Sequence, residues 1–149
     1  MPALKRNKAV ELFWRLHRWV YRATRGKVGG RLIGLPVLLL TTKGRKSGQP
    51  RTVALTYLED AGRYVVIASY LGEPRHPSWY LNLRANPEAT VQVGSHTVRV
   101  RARDAEGEER ERLWRRAVEA MPDYQTYQQR TSRRIPVVLL EPAEQSACA

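Results

Sequence analysis

The chain has 149 residues, 42% of them apolar, which suits one domain with its own core and excludes a disordered tail. Lys and Arg number 26 against 14 Asp and Glu, a net charge of +12, and 21 of the 26 are arginine, whose planar fork suits phosphate and carboxylate. No apolar run approaches the ~20 residues that span a bilayer. The opening MPALKRNKAV has no apolar leader, and the single cysteine, Cys148, excludes a disulfide framework, so a cytoplasmic setting is expected.

In chain order, residues 8–25 (KAVELFWRLHRWVYRATR) have helical spacing. Arg15, Arg18, Arg22 and Arg25 make one basic stripe, with Leu12, Leu16, Trp19 and Ala23 beside it. Such a helix docks on its own domain or rests on an anionic membrane surface, and the two can coexist. Residues 26–34 (GKVGGRLIG) lack the spacing of a dinucleotide fingerprint and read as a flexible linker.

Strands follow. PVLLLTT (36–42) is the first and TVALTYLE (52–59) the second. YVVIASY (64–70) is the third, reached through a hairpin turn at Asp60-Ala-Gly-Arg63. In HPSWYLNLRANP the period changes to helical; Pro77 suits the first turn and Asn86-Pro87 the end. ATVQV and HTVRVRARDA form a second hairpin across Gly94-Ser95. There Arg99, Arg101 and Arg103 alternate with apolar residues, as on a strand with one solvated face. Residues 105–121 read as a helix with its acids first, which suits the helix dipole. PDYQTYQQRTSRR carries Tyr124 and Tyr127, IPVVLLEP (135–142) is the last strand, and 143–149 reads as a frayed tail. About six strands with short connections predict an α+β fold in one domain. The sheet is mostly antiparallel and closed into a small barrel, with helices packed outside.

Several chemistries have no residues to carry them. There is no CxxC or HExxH, so no metal site is expected. Neither GxSxG nor the Walker pattern occurs, and no pair of acids suggests a hydrolase. Anion-binding and stacking groups remain. In GRKSGQPR (44–51), Arg45, Lys46, Ser47 and Arg51 offer charge-assisted hydrogen bonds, and Gly44 and Gly48 allow a backbone nest. The alternative is a basic hairpin turn and no more. Small residues at Ala68-Ser69 admit a flat ring, Trp79 and Tyr80 can pack near one, and Tyr124 and Tyr127 can donate O–H groups. The alternative for each aromatic is core packing. A nucleic-acid partner is not expected, because the aromatics do not interleave with the cations on one strand.

Four stretches in order, LLLTTKGRKSGQPR, YVVIAS, HPSWYLNLRANP and MPDYQTYQQRTSRRIPVVLLEP, resemble the deazaflavin-dependent nitroreductases of actinobacteria. These are also called coenzyme F420-dependent quinone reductases. The resemblance implies a split β-barrel related to flavin-binding oxidoreductases. It implies reduced coenzyme F420 in a groove and hydride transfer to a quinone-like or nitroaromatic acceptor. It puts Arg45, Lys46 and Ser47 on the cofactor's phosphate and acidic tail, and Arg51, Thr52, Val53, Ala54, Leu55 and Thr56 beside the cofactor. Ile67, Ala68, Ser69 and Tyr70 would run along the ring. Ser78, Trp79, Tyr80, Leu81 and Asn82 would surround the ring and ribityl chain. Tyr124 would close the substrate pocket, with Ser69 and Tyr127 nearby as the catalytic set. A homodimer and peripheral contact with an anionic membrane are compatible with this reading. So is a non-catalytic binder of coenzyme F420, flavin or haem on the same barrel. Two positions depart from the better-known members: Tyr70-Leu71-Gly72 replaces Lys-Gly-Gly, and Met121 replaces a tyrosine before the proline. Both lie near the acceptor.

Overall fold

The computed structural model describes residues 18, 31–32 and 35–143. Of the helix expected over 8–25 only Arg18 is described, as helical. The rest of that helix, most of the 26–34 linker and residues 144–149 of the expected tail lie outside the described residues.

The described residues form eight strands. They are β1 (Arg31–Leu32), β2 (Leu35–Lys43), β3 (Pro50–Thr56), β4 (Leu58–Asp60), β5 (Arg63–Ile67), β6 (Glu88–Val93), β7 (His96–Asp104) and β8 (Val137–Pro142). Over residues 35–143 three helices accompany them: α1 (Ser78–Ala85), α2 (Gly107–Ala120) and α3 (Asp123–Arg130). The strand order is β1-β2-β6-β7-β8-β5-β4, and every pairing is antiparallel. Leu39, Leu40 and Thr41 each pair with both β3 and β6, so β3 takes the other edge of β2. The edge strands β3 and β4 are separated in sequence by Tyr57 alone. That short link draws the two ends of the sheet together and curls it into the half-barrel expected of a split barrel.

Local chemistry explains the departures from the predicted elements. Arg31–Leu32, inside the expected linker, forms a two-residue strand that pairs with Leu35 and Pro36. The predicted 52–59 strand breaks at Tyr57. Its N–H still bonds the Pro36 carbonyl at 3.1 Å, but the next residue, Leu58, pairs with Val65 instead. The predicted 64–70 strand stops at Ile67. Ala68 N–H donates to the Pro136 carbonyl at 3.0 Å, and Pro136 has no N–H to return the bond. Tyr70–Gly72 then forms a single 3-10 turn. Residues 123–130, for which no element was predicted, form α3. The barrel-facing and outward-facing side chains of β5 and β8 are both buried. Val66, Val138 and Leu140 join Trp79 and Leu83 of α1 inside the curl. Val65, Ile67, Val137 and Leu139 meet α2 and α3 outside. Burial on both faces is why these strands read as continuous apolar runs. Each fully buried leucine contributes roughly 2 kcal/mol relative to exposure.

Candidate active site

The basic stretch is the β2–β3 hairpin turn. Gly44 N–H donates to the Gln49 carbonyl and Gly48 N–H to the Gly44 carbonyl, both at 2.8 Å. A Cβ on Gly44 would lie 2.8 Å from Ser47 Oγ, so close approach requires glycine there. A buried amide anchors the turn from below. Asn82 Nδ2 donates to Thr42 Oγ1 at 3.0 Å, and Asn82 Oδ1 accepts from Arg45 N–H at 3.2 Å and Arg45 Nη1 at 3.0 Å. Arg45 Nη1 also reaches the Ser78 carbonyl at 3.5 Å. Arg51 Nη2 reaches Ser47 Oγ at 3.5 Å, a weak contact. Lys46 is exposed and has no bonded partner among the described residues. The turn therefore holds one braced cation and two that remain available.

β3 runs away from this turn and divides the residues expected beside the cofactor. Val53 and Leu55 pack against the core inside the curl. Thr52, Ala54 and Thr56 face outward. Thr52 and Thr41 join their hydroxyls at 2.8 Å, and Ala54 is buried with Val37 and Leu39. Thr56 Oγ1 meets the Tyr124 hydroxyl at 3.0 Å. The outer face of β3 thus connects the cationic turn to Tyr124 over a strand length of roughly 13 Å.

Tyr124, on α3, is buried, and burial pushes its phenol pKa up against the opposing bond from Thr56. Tyr127 is buried beside it, ring centres 6.3 Å apart, and its backbone carbonyl presses on Gly72. The 68–73 segment lies against α3. Tyr70, Leu71 and Gly72 have φ values of +47°, +55° and +79°, a run in the left-handed region where only the third position is glycine. Ser69 is buried, and its hydroxyl has no hydrogen-bond partner among the described residues. Its carbonyl accepts from Gly72 N–H at 2.9 Å and Arg133 Nη2 at 2.8 Å. Ile67 faces the outer core and Ala68 the inner.

The α1 stretch splits. Ser78 is exposed and Asn82 braces the turn. Trp79 and Tyr80 are packed inside the curl, with Leu81 against them. The Tyr80 hydroxyl donates to Asp104 Oδ2 at 2.6 Å, and its pKa is pushed up to about 12, first by burial and then by this bond. These two aromatic side chains hold α1 to the sheet.

Sequence reasoning missed three contributors. Thr42 is the buried partner of Asn82. Arg133 reaches three carbonyls of the 68–73 segment, and only the proline opposite Ala68 hinted at that need. An open groove of about 320 Å³ adjoins the turn on the outer sheet face, lined in part by Thr41, Lys43, Thr90 and Arg99. Among the described residues there is no cluster of three or more metal-ligating side chains.

A curled antiparallel half-barrel with α2 and α3 packed on its outer face is a split-barrel fold. Known proteins give the family. The model of the F420H(2)-dependent quinone reductase family matches residues 13–142, and the chain belongs to that family. An F420H(2)-dependent quinone reductase of Mycobacterium tuberculosis is 45% identical over 141 residues, covering 92% of this chain and 94% of the relative. A solved F420-H2 dependent reductase (FDR-A) is 50% identical, covers 71% of this chain and 94% of its own, and has a TM-score of 0.66. Another solved chain, described as a domain-swapped dimer, is 42% identical, covers 88% and 99%, and has a TM-score of 0.68. The family's enzymes are oxidoreductases, and their cofactor is reduced coenzyme F420.

Proposed function

We propose that the outer face of β3 seats reduced coenzyme F420 and that a quinone-like acceptor enters beside Tyr124 and Ser69. The residues present fit such a cofactor. Lys46 is an exposed cation with no bonded partner among the described residues, and Ser69 holds an uncommitted hydroxyl. When bound, the reduced deazaflavin supplies the hydride, so the protein needs no acid/base pair of its own for that step.

The chain's residues bind, orient and hold a proton. Arg45, Lys46 and Arg51 meet the phosphate and acidic tail, with Ser47 as a further donor. Thr52, Ala54 and Thr56 flank the bound group along β3, and the Ile67–Tyr70 backbone borders the ring. Ser78 and Asn82 support the turn end, while Trp79, Tyr80, Leu81, Val53 and Leu55 back this wall from inside. A quinone that takes a hydride also needs a proton. Tyr124 stays protonated at neutral pH, because burial raises its pKa, and Thr56 orients its O–H. Ser69 offers the acceptor a second hydroxyl, and Tyr127 fixes the pitch of α3.

Nitroaromatic compounds present a similar flat ring with acceptor oxygens and belong to the same proposal. The 42% identical domain-swapped dimer supports a test for a homodimer. The arginine stripe over 8–25 supports cytoplasmic, peripheral contact with an anionic membrane, and no described helix is long and apolar enough to cross one.

The observation that carries the reading is the pairing, on one strand face, of the cationic turn with Thr56 and Tyr124. Mixing the protein with reduced coenzyme F420 and menadione tests it. Oxidation of the cofactor at a rate proportional to enzyme is expected. Binding without turnover for any quinone would leave a carrier, and absence of binding would remove the reading altogether.

A further inference from the structure

We propose that Arg133 is a positioning residue for the reductase reaction, aiming the Ser69 hydroxyl by holding the backbone on either side of it. This rests on the proposed function, in which Ser69 faces the acceptor.

The need for Arg133 arises in the sheet. Ile67 pairs with Val137, which puts Ala68 opposite Pro136. Ala68 N–H makes its ladder bond to the Pro136 carbonyl. The return bond would run from residue 136 N–H to the Ala68 carbonyl, and proline has no N–H. Arg133 Nη1 takes that place, 3.1 Å from the Ala68 carbonyl.

The same guanidinium holds the next stretch of backbone. Its Nη2 donates to the Ser69 carbonyl at 2.8 Å and its Nε to the Glu73 carbonyl at 3.0 Å. Its Nη1 also lies 3.2 Å from His76 Nδ1, which suits a neutral imidazole accepting there. One planar fork therefore clamps the carbonyls before, at and after the strained turn. Tyr70 and Leu71 sit there at positive φ without being glycine, a conformation that persists only where surrounding contacts over-determine it. No hydrogen bond to the Ser69 hydroxyl is found among the described residues, and the held backbone fixes the Cα–Cβ vector from which that hydroxyl extends. Lysine carries the charge but not the fork, and it cannot satisfy three carbonyls at fixed angles.

The test measures kcat and KM with reduced coenzyme F420 and menadione for wild type, Arg133→Lys, Ser69→Ala and the double variant. Cofactor affinity and Tm are recorded for each. Arg133→Lys is expected to lower kcat about tenfold while cofactor affinity changes less than about threefold, since misplacing a group costs chemistry more than binding. In the Ser69→Ala background the same substitution should cost almost nothing, because a residue acting through Ser69 has nothing left to aim. A second variant, Pro136→Ala, restores an N–H opposite Ala68 and should recover part of the Arg133→Lys loss, including any loss of folding. Additive losses in the double variant, wild-type kcat in Arg133→Lys, or no recovery with Pro136→Ala would overturn the proposal. A wild type that never oxidises the cofactor would overturn the functional reading instead, which separates the two.

Discussion

The Asn82 side-chain amide donates to the Thr42 hydroxyl at 3.0 Å, with both residues buried, and this bond ties α1 to the end of β2. The other side of the same amide holds Arg45. Asn82→Ala leaves the Thr42 hydroxyl without that partner and removes the brace under the turn. A loss of about 1–3 kcal/mol is expected from the buried polar group, seen as a lower Tm. Asn82→Asp should weaken cofactor affinity more than it lowers Tm, because it puts a carboxylate beneath an anion seat. Calorimetric titration beside thermal unfolding separates the two effects.

Asp60 sits at the centre of an arginine cluster. Its carboxylate accepts from Arg63 at 2.6 Å, Arg112 at 2.8 Å and Arg116 at 3.2 Å. The bonds from Arg112 and then Arg63 hold its pKa well below the usual carboxylate range, and Glu109 is lowered likewise, first by Arg103. A carboxylate depressed in the folded state stabilises above its unfolded pKa and loses that contribution as pH falls through the folded value. Tm should therefore drop as pH is lowered below about 4, the ordinary carboxylate range. Asp60→Asn should flatten that acid limb and cost on the order of 1 kcal/mol at pH 7, since Arg112 and Arg116 are partly solvated. An unchanged acid limb in the variant would assign it to other groups.

Gly72 has φ of +79°, and a Cβ there would lie 2.9 Å from both the Tyr127 carbonyl and Arg130 Cβ. Gly72→Ala is expected to cost about 1–3 kcal/mol from strain and overlap together. Because α3 must give way, kcat should fall as well. Chemical denaturation and steady-state kinetics measure both, and a variant with wild-type stability would show that α3 does not press on this turn.

Much of the sheet was legible in the sequence. The alternation of Val98, Val100 and Ala102 with Arg99, Arg101 and Arg103 places β7 and its inward face. GRKSGQPR is the hairpin turn its glycines predict. The features that were not legible depended on distant partners. TVALTYLE reads as one strand, yet its pairing changes at Tyr57. YVVIASY reads past Ile67, because the proline that ends the ladder, Pro136, lies just before β8, far away in sequence. α3 has few apolar residues for a periodicity to reveal, and its Tyr124 and Tyr127 face inward. Trp79 and Tyr80, named as neighbours of a ring, have core-packed side chains. Local residues show what can form; the Asn82 and Arg133 braces emerge only when the strands are paired.

Tyr124→Phe removes the hydroxyl that meets Thr56 and keeps the ring. With Tyr124 as a proton holder, kcat should fall about tenfold or more while cofactor affinity stays near wild type. Because burial raises the phenol pKa, wild-type activity should not decline through deprotonation of this group anywhere below the ordinary tyrosine range of about pH 10. A pH–rate profile from about pH 6 to about pH 10 checks the second point, and equal kcat in Tyr124→Phe would remove Tyr124 from the chemistry.

In the proposed function the turn beside β3 is an anion seat for the cofactor rather than a solvated hairpin. Lys46 tests it most directly, because it is exposed and has no bonded partner among the described residues. Its removal should leave folding alone. Titrating reduced coenzyme F420 into wild type and Lys46→Ala should show affinity weakened about tenfold or more, the scale of one charge-assisted hydrogen bond, with Tm unchanged. Equal affinity in the two proteins would contradict the account.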